Sequence, residues 1–98
     1  MIAIYKEPGK APRITEIDNT LEALQVAVEG YIETVTLYTD CVILCNEEGR
    51  LKGLPYNCEL LGLPIFGPFL IVGAKGDEFT DLYKPQTVAR LLFGGSER

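Results

Sequence analysis

The sequence predicts an α+β fold: a mostly antiparallel sheet of about five strands with two helices, in the order strand-strand-helix-strand-strand-strand-helix. Three observations predict it. Short β-branched and apolar runs are bounded by glycine and proline clusters, neighbouring runs are joined by tight-turn chemistry, and two segments carry helical spacing between recognisable ends. At 98 residues the chain has the length of one ordinary domain, expected to span residues 1–98. Surface scaling gives about 5,500 Å² folded against about 15,700 Å² extended, so roughly 65% is buried and one core suffices without staples.

Taken in order, Ile2 to Lys6 reads as a strand, and Glu7-Pro8-Gly9-Lys10-Ala11-Pro12 supplies a turn into a second strand near Arg13 to Ile17. Asp18-Asn19 offers an N-cap and Glu22 stands three residues after Asn19. This predicts a helix from about Thr20 to Glu29, stopped at Gly30, with Leu21, Leu24 and Val28 as its buried stripe. Tyr31 to Tyr38 and Cys41 to Cys45 are apolar and β-branched on either side of a turn at Thr39-Asp40, and are expected to pair antiparallel. Phe69 to Ala74 is apolar at every position, which places it centrally in the sheet or beneath a helix. Pro85 suits the first turn of a last helix carrying Val88, Leu91 and Leu92, and Gly94-Gly95 ends it. The sheet is expected to be covered on one face.

The stretch from Asn46 to Asn57 holds two acids, two bases, two glycines, a proline and two asparagines between apolar regions. Glu47-Glu48-Gly49-Arg50 has the chemistry of a hairpin tip, with Leu51 starting the return strand. On such a strand Arg50 and Lys52 share parity and face one pocket able to hold a phosphate or carboxylate, with Tyr56 stacking on a base. Leu54 before Pro55 is held extended, and Asn57 could cap a short helical turn over Cys58 to Leu61. Asn46, Arg50, Lys52, Tyr56 and Asn57 are therefore the candidate ligand-binding residues. Further on, Leu60, Leu61, Leu63, Ile65 and Phe66 are too many apolar groups for an exposed loop, so the 60–69 segment is expected to be covered by self-association as a homodimer or by a partner.

Composition removes several functions. With no histidine and Ser96 as the one serine, Ser-His-Asp and Cys-His chemistry is excluded and no catalytic residue is assigned. Cys41 and Cys45 lie about 13 Å apart on an extended strand, too far to bridge or to share a metal. The three cysteines read as small buried hydrophobes, and no metal or cofactor is expected. Neither Gly49 to Gly53 nor Gly73 to Gly76 has the spacing of a phosphate loop. Net charge is −5, and between Arg13 and Arg50 stand eight acids and no base, which disfavours direct nucleic-acid binding. The same acids permit mimicry of nucleic acid, although duplex DNA carries a charge about every 1.7 Å, a far denser array. The longest uncharged run, Leu60 to Ala74, is broken by prolines and glycines and falls short of the ~20 residues of a membrane span. The first residues lack the features of an export signal, so a cytoplasmic protein is expected.

Across nearly the whole chain, and most sharply in Glu16 to Gln25, Gly30-Tyr31-Ile32-Glu33 and Asn46 to Asn57, the sequence resembles the domain-of-unknown-function family 3846. These are small proteins of Gram-positive bacteria, their phages and mobile elements. The resemblance implies a short accessory protein and brings no activity or catalytic residues with it. Similar sequences carry basic residues after the position of Asn57, where this chain has Cys58-Glu59. The resulting expectation is a non-enzymatic protein that binds a host protein in an anti-defence or regulatory role. The alternative is a binder of a small anionic ligand or nucleotide through residues 46–57.

Overall fold

The computed structural model describes residues 1–94. Its elements are β1 (Ile2–Lys6), β2 (Arg13–Glu16), α1 (Leu21–Val28), β3 (Ile32–Tyr38), β4 (Cys41–Asn46), β5 (Tyr56–Leu60), β6 (Leu63–Phe66), β7 (Phe69–Lys75), β8 (Glu78–Thr80) and α2 (Pro85–Phe93). The fold is α+β with two helices and antiparallel pairing throughout. The main sheet runs β2-β1-β7-β4-β3, with β8 pairing the far half of β7. β5 and β6 form a separate hairpin.

β4 and β7 lie at the centre because they are apolar at nearly every position and buried along almost their whole length. Such strands must be covered on both sides, so the expectation of one covered face is corrected. On one face, Ala3, Val42, Leu44, Leu70 and Val72 pack beneath Leu24 of α1, with Ile17, Ala27 and Phe79 at the margin. On the other, Ile4, Cys41, Ile43, Cys45, Phe69 and Ile71 pack against the β5–β6 hairpin and α2, which contributes Val88, Ala89, Leu92 and Phe93. Phe93 stacks on Phe69 with ring centroids 6.4 Å apart.

Three strands beyond the expected five are present: β5, β6 and β8. The β5–β6 turn is Leu61-Gly62, both residues with positive φ (50° and 83°), the geometry of a tight hairpin normally signalled by Asn-Gly or Asp-Gly. This hairpin buries Leu60 and Ile65 in the chain's own core, and Phe69 follows them inside. Part of the apolar 60–69 segment is thus covered by the chain's own core, with Leu63 and Phe66 half-buried and Leu61 exposed. The expected helical turn over Cys58 to Leu61 is instead strand β5.

Both helices shift slightly from expectation. The N-cap of α1 is Thr20, whose hydroxyl accepts from Ala23 N–H at 3.2 Å, while Asn19 donates to the Phe79 carbonyl at 2.9 Å. Leu21 is therefore the first helical residue and is 61% exposed rather than part of the stripe. In α2, Pro85 stands in the first turn as expected, but Leu91 faces solvent. The Gly94 N–H closes this helix on the Arg90 carbonyl, and Gly95 lies outside the described residues.

Candidate functional site

Residues 47–55 do not form a return strand from β4. After Asn46 the chain coils into successive turns: Lys52 N–H donates to the Glu48 carbonyl at 2.8 Å, Gly53 to Arg50 at 3.1 Å and Leu54 to Gly49 at 2.9 Å. The shared strand parity expected of Arg50 and Lys52 is therefore absent, because turn bonds spanning three to five residues replace a ladder. The coil packs tightly on β6: a side chain at Gly49 would come within 2.5 Å of the Phe66 carbonyl oxygen.

The five candidate residues separate into three places. Asn46 is buried and bonded at both ends of its amide. Its Nδ2 donates to the carbonyls of Val28 (3.1 Å) and Glu29 (3.0 Å), and its Oδ1 accepts from Glu48 N–H (2.7 Å). It satisfies carbonyls at the end of α1, a helix with no basic residue in its last turn. Lys52 reaches the same corner: its Nζ would lie 3.3 Å from a side chain at Gly30 and is 3.9 Å from the Glu48 carboxylate. Its charge complements the negative end of the α1 dipole.

Asn57 is the extra residue of a bulge in β5, between the pairs Tyr56–Phe66 and Cys58–Ile65. The bulge turns its side chain towards β1, where Nδ2 donates to the carbonyls of Lys6 (3.0 Å) and Gly67 (2.9 Å) and Oδ1 accepts from Lys6 Nζ (3.0 Å). Asn57 therefore ties the β5–β6 hairpin to the sheet. Lys6, its partner, carried no sequence signal for this role.

Arg50 and Tyr56 do meet, through Phe66. The guanidinium carbon stands 5.1 Å from the Phe66 ring centroid, and Tyr56 meets the same ring edge-on at 5.5 Å. Beside them is an open cleft of about 240 Å³ whose walls include Arg50 but also Glu33 and Glu47. That mixture of charge does not favour an anion. Cys45 also lines the cleft, its thiol pushed up to about 11 by burial first and by Glu33 second. Cys41 is likewise raised to about 11 by burial, with Asp40 adding, and burial raises Cys58 while Lys6 opposes it. None of the three is poised to supply a thiolate. Among the described residues no group of three His, Cys, Asp or Glu side chains is arranged to hold a metal ion. Among the described residues no helix is long and apolar enough to cross a membrane.

The features that sequence reasoning missed are exposed apolar side chains. Val26 on the last turn of α1, Tyr31 just before β3 and Leu51 at the apex of the coil are 78%, 68% and 86% exposed. Asn46 and Lys52 hold the coil that carries Leu51 at the end of α1, and Glu47 N–H binds the Tyr31 carbonyl at 2.9 Å. Exposure of Leu51 accompanies the coil of successive turns, which no local motif announced. A second groove, about 450 Å³, lies between the β1–β2 hairpin and α2, lined by Ile4, Ile14, Ala89, Arg90 and Phe93, away from every candidate residue.

No curated protein and no solved structure matches the chain. The family model for the Domain of unknown function (DUF3846) matches residues 1–92, so the chain belongs to that family.

Proposed function

We propose that this protein acts by binding rather than by catalysis, as a small cytoplasmic accessory protein of a phage or mobile element whose target is a host protein, with an anti-defence or regulatory outcome. The observation that carries the reading is the exposure of Val26, Tyr31 and Leu51, three large apolar groups on α1, before β3 and on the coil that Asn46 ties to the end of α1, with Glu29, Glu47 and Glu48 also exposed on these segments. Large apolar groups left in solvent among charged ones are the material of a protein interface. The raised thiols and the lack of histidine support a non-enzymatic role. The phage or mobile-element setting rests on the family resemblance.

The test is site-specific photo-crosslinking in Gram-positive cells from position 51, with position 75 at the β7–β8 turn as the control. One discrete protein adduct from position 51 and none from 75 is expected; identical patterns from both, or none from either, would refute the reading. A second reading, a small-ligand or nucleotide binder, is supported by the Arg50–Phe66–Tyr56 arrangement beside its cleft. It requires a bound small molecule that Arg50→Glu releases.

A further inference from the structure

The outer edge of the main sheet at β3 is a feature that neither the core nor the 46–57 coil uses. Glu47 N–H binds the Tyr31 carbonyl, which fixes the ladder: with Ile32 opposite Asn46, the residues bonded to β4 are Glu33 and Val35. The N–H and C=O groups of Ile32, Thr34 and Thr36 therefore point away from the sheet. The other outer strands, β2 and β8, have four and three residues, whereas β3 has seven. Soluble proteins blunt such an edge with lysine, proline, bulges or a covering element. β3 has no lysine or proline, and its bulge falls after Thr36, which leaves Ile32 to Thr36 regular.

We infer that β3 is a docking edge that takes an extended, basic segment of a protein partner as an added strand. This rests on the binding reading above and names the partner's chemistry. Backbone bonding at Ile32, Thr34 and Thr36 supplies the affinity, as in other strand additions. Charge selects the occupant: exposed Glu29, Glu33, Asp40, Glu47 and Glu48 stand along β3 and at its two ends, against two bases nearby, Lys52, which already faces Glu48, and Arg50, which shares the cleft with Glu33 and Glu47 and lies over Phe66. A second copy is disfavoured by the same charges. Pairing Thr34 with its own counterpart would bring the two Glu33 residues to about 8 Å, from strand spacings of about 4.8 Å across and about 3.3 Å per residue. That is no farther than the screening length of about 8 Å at physiological salt. It would also set each Asp40 against the glutamate-rich end of the other copy.

The experiment uses the full chain and a capped heptapeptide of alternating lysine and valine, with the glutamate–valine peptide as control, read by titration and amide hydrogen exchange at low salt. The lysine peptide is expected to bind about tenfold or more tightly than the control. It should slow exchange at Ile32, Thr34 and Thr36 while leaving Glu33 and Val35 unchanged. Thr34→Pro removes one outward donor without touching the β4 ladder and should weaken binding about tenfold. Glu33→Lys, which leaves the backbone intact, should narrow the gap between the two peptides, so the charge argument stays testable if the proline variant does not fold. Equal affinity for both peptides, unchanged exchange at the three outward amides under saturating lysine peptide, or full binding by folded Thr34→Pro would overturn the inference. A free dimer with those amides already protected would overturn it too. Crosslinking from position 51 that persists in Thr34→Pro would sink the edge and leave the binding reading standing. Peptide docking at β3 without any crosslinked protein would do the reverse.

Discussion

Replacing Asn46 by alanine removes three hydrogen bonds at one stroke and leaves the Val28 carbonyl, the Glu29 carbonyl and the Glu48 N–H without that partner. Each bond contributes about 1 kcal/mol net, and a buried group left unsatisfied costs about 1–3 kcal/mol. The Val28 bond is buried, whereas those to Glu29 and Glu48 are part-buried and open to water. The expected loss is therefore about 3 kcal/mol, which for a domain of this size lowers Tm by roughly 15 °C. Equilibrium urea unfolding measures it: the midpoint falls and the slope stays constant if the native contact is what changed. Asn46→Asp sharpens the test, since it sets a carboxylate against two carbonyls at the negative end of a helix. Its folded-state pKa is raised, so the carboxyl is harmless when protonated at low pH. Destabilisation grows as pH rises above the unfolded value of about 4 and is complete above the folded one. A loss under about 0.5 kcal/mol for Asn46→Ala, or a pH-independent Asn46→Asp, would refute the capping role.

Further expectations concern the edge, the thiols and the hairpin. Thr34→Pro should cost under about 1 kcal/mol because its N–H points outward, whereas Val35→Pro, which breaks the bond to Ile43, should cost about 3 kcal/mol or more; thermal melts of the two variants decide it. Cys41 and Cys45, both raised to about 11, should resist a thiol reagent in the native protein at pH 8 and react on unfolding. Because the folded state keeps these protons longer, stability should hold below the ordinary value of 9.0 and fall as pH rises from there towards 11, as urea midpoints across that range will read. Leu61, left-handed at φ 50° and 69% exposed, should be improved by Leu61→Asn, by about 0.5–1 kcal/mol in urea unfolding.

What could be read in the sequence follows from how local each signal is. The strands at Ile2, Arg13, Tyr31, Cys41 and Phe69 and both helices announce themselves by composition and turn chemistry, and the structure has them. The β5–β6 hairpin was illegible because Pro64 demotes a strand and Leu61-Gly62 is not a usual turn pair, although the hairpin forms with Pro64 opposite Glu59. The path of residues 47–55, expected as a hairpin return, differs for a related reason. A buried strand followed by Glu-Glu-Gly-Arg satisfies a hairpin rule, and only the long-range bonds from Asn46 to α1 and the close packing of Gly49 on Phe66 of β6 favour the coil. Asn46 did carry a usable signal, since an amide directly after five buried residues needs partners, and helix-end carbonyls are an ample supply. The exposure of Leu51 had none.

Native mass spectrometry of the chain purified gently from Gram-positive cells, with absorbance read at 260 and 280 nm, tests the central claim most directly. The binding account predicts one copy alone or one copy with a polypeptide of discrete mass, and no small adduct. A stoichiometric small-molecule mass that disappears on denaturation, with excess absorbance at 260 nm, would contradict it and turn the protein into a ligand carrier.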